Sequence, residues 1–174
     1  MLLYLVRHAE AKKEEEDPLR PLSEKGLLDI KQISSHLSSL RIHVDRILHS
    51  GKLRAKQTAG VLSDNLKPSK GLTETNGLSP ADDPAIIEGR LKTATESLML
   101  VGHLPHLEKL ASLLLCGDMY REVLSFRTAG VVCLERDDTG TWSVRWMITP
   151  EALLSPCDTG TTQGSDIYAD DLGL

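Results

Sequence analysis

The stretch LLYLVRHAE, residues 2–10, decides how the rest of the chain is interpreted. Its first five residues are apolar, a run too short for a membrane span and typical of a buried strand. Arg7 and His8 follow at once, so the strand ends in a guanidinium beside an imidazole. Open α/β sheets usually bind ligands at the carboxyl ends of their strands. The stretch therefore predicts a functional edge, although such a pair can also simply end a strand at the surface.

The chemistry of this pair favours an oxyanion as the ligand. The planar fork of Arg7 can donate two hydrogen bonds to the oxygens of a phosphate group. His8 is the type of side chain most readily used as a nucleophile or proton carrier near neutral pH.

Size and composition indicate one soluble domain. A chain of 174 residues can form a single sizeable core. The formal net charge is −5, from 20 Lys and Arg against 25 Asp and Glu, which argues against nucleic-acid binding through a basic face. We find no signal-peptide pattern and no apolar run as long as a bilayer is thick, so we expect a cytoplasmic monomer with no membrane span. The cysteines are odd in number and lack zinc spacing, so reduced thiols are expected: Cys116, Cys133 and Cys157.

The residues that follow alternate between helix and strand patterns. Ser23 is a typical helix N-cap, with Glu24 in the first turn, where the helix dipole favours negative charge. Apolar residues then recur at three- and four-residue steps and predict one buried helical face: Ile30, Ile33, Leu37 and Leu40. Further patterns predict strands at 46–48 and 98–101, helices at 52–66, 85–94 and 105–117, and a long loop at 66–84.

The last part of the chain changes character. Residues 129–134 and 142–148 read as two strands joined by Asp, Asp, Thr and Gly, a composition typical of a hairpin turn. Alternation predicts one buried face on the second strand: Trp142, Val144, Trp146 and Ile148. We expect the domain to comprise residues 1–150. Residues 151–174 are expected to form a polar C-terminal tail that packs little or is disordered.

Strands that alternate with helices predict an α/β fold with right-handed crossovers. An antiparallel hairpin is common at the end of such a sheet. The expected fold is therefore a three-layer α/β/α sandwich, with a mainly parallel sheet and a C-terminal antiparallel hairpin.

In such a fold, four side chains suited to phosphate would meet at one edge of the sheet. Arg7 and His8 end the first strand, and His103 follows the strand at 98–101. Arg54 lies in the first turn of the helix at 52–66, although a solvent-exposed position is the usual state of an arginine. Two guanidiniums and two imidazoles around one point would stabilise the charge of a transferring phosphoryl group.

Three segments resemble the histidine phosphatase superfamily, also called the phosphoglycerate mutase-like superfamily: LVRHAEA at 5–11, SGKLRAKQT at 50–58 and VGHLP at 101–105. Within it, RPLSEKG at 20–26, the short chain and the final WSVRWMITP resemble the SixA-type phosphohistidine phosphatases. The resemblance covers roughly residues 1–150, and the ordered set of motifs is far more specific than a lone Arg-His pair.

The resemblance implies a role for each of these side chains. His8 would be the nucleophile and would form a phosphohistidine intermediate that water then hydrolyses. Arg7, Arg54 and His103 would hold the phosphoryl group. Arg20 is a further candidate for substrate binding, since its loop could fold back over the site. No metal and no other cofactor is implied, because two arginines can supply the countercharge that Mg²⁺ supplies elsewhere.

The sequence departs from the family pattern in three places. Ala9 follows His8 where many members have glycine, and Leu104 stands where asparagine is frequent. The general acid of larger members has no clear counterpart: Glu74 is the nearest candidate, then Asp82, and a solvated loop carboxylate is the alternative. A phosphoramidate leaving group, once protonated on nitrogen, needs less help than an alkoxide, so we expect weak dependence on any single carboxylate.

Three functions are compatible with these observations. The first is a metal-independent phosphatase acting on phosphohistidine in a phosphotransfer or signalling protein, since the short chain leaves no inserted cap over the site. The second is a small-molecule phosphomonoesterase with the same chemistry. The third is a non-catalytic phosphate-binding module, which the presence of all four side chains makes the least favoured.

Overall fold

The computed structural model describes residues 1–153, in which helices cover both faces of a six-stranded sheet. The elements in chain order are β1 (Leu2–Arg7), α1 (Glu24–Ser39), β2 (Arg46–His49), α2 (Leu53–Leu66), β3 (Leu72–Glu74), α3 (Pro84–Leu91), β4 (Leu98–Gly102), α4 (His106–Cys116), β5 (Val131–Arg136), β6 (Trp142–Ile148) and α5 (Pro150–Leu153).

The first strand of the chain lies in the middle of the sheet, whose order is β3-β2-β4-β1-β5-β6. Strands β1 to β4 are mutually parallel, β5 is antiparallel to β1, and β6 returns antiparallel to β5. A central strand is buried on both faces, which explains the uninterrupted apolar run at its start. The predicted α/β sandwich, with its mainly parallel sheet and C-terminal hairpin, is confirmed.

Two apolar cores separate the layers. Tyr4 and Val6 of β1 point to the core that α1 and α2 cover. Leu3 and Leu5, on the opposite face, point to the core beneath α3 and α4. Successive residues of one strand thus anchor the sheet to both helical layers, and the strand that ends at His8 is held from both sides.

Helix α1 begins as predicted. The Ser23 hydroxyl accepts a hydrogen bond from the Gly26 N–H at 3.0 Å, which caps one of the free amide groups of the first turn. Its buried apolar residues are Ile30, Ile33 and Leu37. Leu40 does not share this face: it is the C-cap residue, lies beyond the last turn and is 51% exposed.

Gly26 lies against the backbone of the loop that follows β1, so a side chain there has no room. A Cβ on Gly26 would lie 2.1 Å from the Glu10 carbonyl oxygen. We expect Gly26→Ala to lower the free energy of unfolding by about 1–3 kcal/mol through overpacking, as measured by urea denaturation. Gly89→Ala is the matched control, because nothing lies within 4 Å of its Cβ position, and it should be neutral or stabilising. Equal effects of the two substitutions would contradict the prediction.

Strand β3 corrects the prediction of an uninterrupted loop at 66–84. Residues 72–74 pair in parallel with β2, from Ile47 opposite Leu72 to His49 opposite Glu74. Three residues are too few to show a strand period in the sequence, and the pairing forms because β2 otherwise has an open edge. Glu74 therefore lies at the end of a strand rather than in a free loop.

A β-bulge corrects the predicted alternation in β6. Cys133 pairs with Trp146 but the next residue, Leu134, pairs with Val144, so the register shifts at this point. A shift of one residue moves side chains to the other face of the sheet. Trp146 accordingly packs on the α1/α2 core and Trp142 on the α3/α4 core, while Val144 is 44% exposed.

The structured region continues past residue 150. Helix α5 contacts α1, and Leu153 packs against the α1/α2 core. The rest of the predicted tail and Cys157 lie outside the described residues. Within residues 1–153, no helix combines the length and apolarity needed to cross a membrane.

Candidate active site

The carboxyl ends of β1 and β4 place two histidines side by side. Arg7, the last residue of β1, is paired with Gly102, the last residue of β4. The backbone N–H of His8 donates to the Gly102 carbonyl at 3.1 Å, and His103 is the residue that follows. The centroids of the two imidazole rings are consequently 4.8 Å apart, with the ring planes tilted by 53°.

Helix α2 brings Arg54 to the same point. Arg54 is the second residue of this helix, and its Nε donates to the His8 Nε2 at 3.3 Å. The structure thus brings together His8, Arg54 and His103, which are separated by about fifty residues from one to the next. Had Arg54 or His103 lain at the opposite edge of the sheet, these side chains could not share a ligand.

The hydrogen bonds of His8 establish which ring nitrogen holds the lone pair. Nδ1 lies 2.7 Å from the carbonyl oxygen of Ala9. A carbonyl oxygen can only accept, so Nδ1 carries the proton. In the neutral ring Nε2 is then unprotonated, in agreement with its hydrogen bond from Arg54. The lone pair of His8 therefore faces the guanidinium, where an anion would bind.

The Arg7 guanidinium is held by one hydrogen bond to the backbone, while another of its N–H groups has no partner in the described part of the chain. Its Nη1 donates to the carbonyl oxygen of Phe126 at 2.8 Å. Its Nε is buried and has no hydrogen-bond partner among the described residues. Buried donors are nearly always paired in folded proteins, whereas this N–H of the arginine that ends β1 is left unsatisfied within residues 1–153.

Burial is the main reason that the pKa of His8 is lowered to about 4. The hydrogen bond to the Ala9 carbonyl opposes this change, while the positive charges of Arg54 and Arg7 add to it. The pKa of His103 is also lowered, to about 3. Burial is again the main cause, and the neighbouring His8 and Arg54 add to it. Both rings are therefore neutral at pH 7, as a nitrogen nucleophile must be.

These values predict an unusual titration. In NMR spectra, the ring signals of His8 and His103 should remain those of neutral imidazole from pH 7 down to pH 5. An ordinary histidine, with a pKa of about 6.5, would protonate over that range. Because the unfolded chain then binds protons that the folded chain does not, the free energy of unfolding should fall as the pH decreases from 6.5 towards 4. Urea denaturation at several pH values measures this slope, and ring signals that titrate near pH 6.5 would contradict the prediction.

Arg20 lies on the arm formed by residues 11–22, whose ends are joined by a bridge between Ala11 and Leu22. Gln57 of α2 accepts a hydrogen bond from the Leu22 N–H at 2.8 Å and anchors the arm. The positive charge of Arg20 also contributes to the lowered pKa of His8 and of Arg54. The Arg20 Nε donates to the Lys12 carbonyl at 3.4 Å, within the same arm, rather than to a residue of the site.

The two carboxylates considered as general acids have different surroundings. Glu74 is exposed, and its Oε1 lies 2.5 Å from the position that a Cβ on Gly51 would occupy, so it borders the loop after β2. Asp82 Oδ2 accepts hydrogen bonds from the N–H groups of Gly77 and Ser79, at 3.1 and 2.8 Å. Asp82 thus stabilises its own loop, which leaves Glu74 as the candidate.

Three groups that the sequence did not reveal complete the site. Thr58 accepts a hydrogen bond from the Ala9 N–H at 3.1 Å and donates to the Arg54 carbonyl at 2.7 Å, which joins the loop after β1 to α2. Ser50 lies 2.6 Å from the His103 Nε2. The third is the Phe126 carbonyl. The first two lie in the SGKLRAKQT segment, but a backbone carbonyl has no sequence signal at all. Among residues 1–153, no three His, Cys, Asp or Glu side chains are grouped so as to hold a metal ion.

Comparison with known proteins agrees with this geometry. The model of the histidine phosphatase superfamily (branch 1) matches residues 3–79. Phosphohistidine phosphatase SixA of Escherichia coli (strain K12) is 24% identical over 155 residues, which cover 86% of this chain and 94% of that protein. An uncharacterized protein of Picosynechococcus sp. is 33% identical over 142 residues, 77% of this chain and 84% of its own.

The fold is similar to that of the protein histidine phosphatase SixA complexed with tungstate. The TM-score is 0.79 at 24% identity, and the match covers 88% of this chain and all of the other. The predicted family is confirmed by the family model and by these relatives together. With its paired histidines and arginines at the carboxyl edge of the sheet, this chain belongs to the histidine phosphatase superfamily (branch 1).

Proposed function

We propose that this protein is a metal-independent phosphohistidine phosphatase that acts on a phosphorylated protein through a covalent intermediate on His8. The observation that carries the proposal is the lone pair of His8 Nε2, which is fixed by the Nδ1 hydrogen bond and directed at the Arg54 guanidinium. A neutral nucleophile that faces a cation is the arrangement needed to attack an anionic phosphoryl group.

In the first step, Nε2 of His8 attacks phosphorus and the P–N bond of the substrate breaks. The electron pair of that bond goes to the leaving ring nitrogen, which departs in a neutral imidazole if the other nitrogen of that ring carries a proton. Arg7 and Arg54 neutralise the charge of the phosphoryl oxygens. His8 then carries a proton on Nδ1 and phosphorus on Nε2, and the Ala9 carbonyl stabilises this cationic ring.

In the second step, water attacks phosphorus and the bond to Nε2 breaks, which returns His8 to its neutral form. The two protons of water leave with the product as dihydrogen phosphate. The atoms and charges of this step thus balance without a proton from a side chain of this protein. The proposal therefore explains how the site can work with no well-buried carboxylic acid beside it.

The openness of the site favours a protein substrate. The connection from β3 to α3 at this edge comprises only residues 75–83, and His8 is partly exposed. A phosphorylated side chain on a protein surface could therefore reach Nε2. The relative from E. coli has phosphohistidine phosphatase as its name, which supports the same substrate class.

A substrate panel tests the proposal directly. Wild-type protein in EDTA is given a histidine-phosphorylated protein, several sugar phosphates and an aryl phosphate, with His8→Ala as the blank. We expect phosphate release from the phosphohistidine protein with the highest kcat/KM. Turnover of small esters alone would overturn the proposed substrate. Retained phosphate binding without any turnover would favour a binding module, and loss of activity in EDTA would contradict metal independence.

A small-molecule phosphomonoesterase is the second candidate, since Glu74 borders Gly51 in the turn after β2 and could protonate an alkoxide. Glu74→Gln separates the two functions, because an alkoxide needs a proton at the leaving oxygen far more than an imidazole does. We expect this substitution to change phosphohistidine hydrolysis by less than about tenfold. A loss on the order of 10²–10⁴-fold in the hydrolysis of an alkyl phosphate, with such an ester as the preferred substrate, would favour the esterase.

A further inference from the structure

The turn after β2 is built so that one side chain is aimed at the second histidine. His49 is buried, and its Nδ1 accepts a hydrogen bond from the Gly51 N–H at 3.0 Å. Gly51 has a φ of +81°, and any Cβ there would meet the Glu74 carboxylate. Both neighbours of Ser50 are therefore fixed, and the Ser50 hydroxyl lies 2.6 Å from the His103 Nε2.

The surroundings of His103 indicate which nitrogen carries its proton. The residue is only 2% exposed, and its Nδ1 is buried with no hydrogen-bond partner among residues 1–153. Buried donors left without partners are rarer than acceptors left without partners. Nδ1 is thus the bare nitrogen, and Nε2–H donates to the Ser50 oxygen. The hydroxyl proton of Ser50 then remains available for another acceptor.

We propose that Ser50 is a phosphoryl-binding residue: it holds His103 in the Nε2–H form and donates its own hydroxyl proton to a phosphoryl oxygen. The inference rests on the proposed function, because it concerns the same site. The His103 Nε2–H is used on the Ser50 oxygen, so the donor that this pair offers to a phosphoryl oxygen is the Ser50 hydroxyl. Ser50 would thus supply an oxyanion-stabilising hydrogen bond that was not evident from the sequence.

Three variants test the proposal: Ser50→Ala removes the hydroxyl, Ser50→Thr retains it, and Ser35→Ala is the control on an exposed face of α1. Orthovanadate affinity reports on the binding of a pentacoordinate phosphorus mimic. We expect Ser50→Ala to weaken it by roughly 10²-fold, with a matching fall in kcat/KM, as for loss of one oxyanion donor. Ser50→Thr should stay within a few-fold of wild type, and Ser35→Ala should equal it.

The second measurement is nitrogen NMR of the wild-type imidazoles at pH 7, which needs no variant. We expect the His103 proton on Nε2. A proton on Nδ1, or unchanged vanadate affinity in Ser50→Ala, would overturn the role of Ser50. These readouts do not depend on the substrate, so a wild-type protein that fails to hydrolyse phosphohistidine would contradict the proposed function alone. If Ser50→Ala does not fold, the NMR result decides.

Discussion

Replacing His8 with alanine is expected to abolish turnover and the trapping of acid-labile phosphate on the protein. The substitution removes the lone pair of Nε2 that faces the Arg54 guanidinium, which is the proposed nucleophile. Loss of a nucleophile in other enzymes costs on the order of 10⁶-fold in kcat. We expect kcat to fall by at least about 10⁴-fold here, and not by the full factor of roughly 10⁶, since the arginines still bind and polarise the substrate. Rapid quenching with labelled phosphohistidine protein measures both the rate of turnover and the amount of phosphate trapped on the protein.

The control for this experiment is His43→Ala. His43 is exposed and lies before β2, at the opposite edge of the sheet. Its replacement should leave both turnover and trapping at wild-type levels. Circular dichroism should show the same fold for both variants, because the His8 side chain is not part of either apolar core. A His8→Ala protein that still traps phosphate would remove His8 from its proposed role.

Replacing Arg54 with alanine is expected to lower kcat by about 10²–10³-fold, which corresponds to about 2.7–4 kcal/mol of transition-state stabilisation. The Arg54 Nε lies 3.3 Å from the attacking nitrogen, so its charge acts where negative charge is transferred. The same charge lowers the pKa of His8. The pKa of His8 should therefore rise in the variant, and NMR titration can detect this even if activity is too low to measure.

Lys56→Ala is the matched control for Arg54. It removes one positive charge from the same helix, at an exposed position. Its activity should be within about twofold of wild type, since exposed charges are largely screened. A near-normal rate for Arg54→Ala, or equal losses for both variants, would show that Arg54 acts only as a surface charge.

Local patterns were sufficient to predict the elements that carry the site. The apolar run before Arg7 and the one before Gly102 each form a strand buried on both faces, which sequence hydrophobicity reveals directly. Ser23 caps α1 through its own hydroxyl, an interaction within four residues. Because parallel strands end at a common edge, the meeting of His8 and His103 could also be inferred from the fold class.

Features that depend on distant contacts escaped prediction. β3 exists only because β2 offers an unpaired edge, and the bulge opposite Cys133 appears only when β5 and β6 are paired. The Thr58 hydroxyl joins Ala9 to Arg54 across about fifty residues of chain. None of these has a period or a local composition that a sequence pattern could show.

The sequence by itself determined the fold class, the family and the four side chains that converge on one edge, because burial of apolar residues and the ends of strands are properties of short segments. Only the tertiary structure decided the proton positions on the two histidines. Those depend on a carbonyl at 2.7 Å and a guanidinium at 3.3 Å from the His8 ring, and on a hydroxyl at 2.6 Å from the His103 ring. Such distances arise from packing rather than from order along the chain. Short segments thus specify which reactive groups are present, and the tertiary structure specifies which nitrogen of His8 faces Arg54.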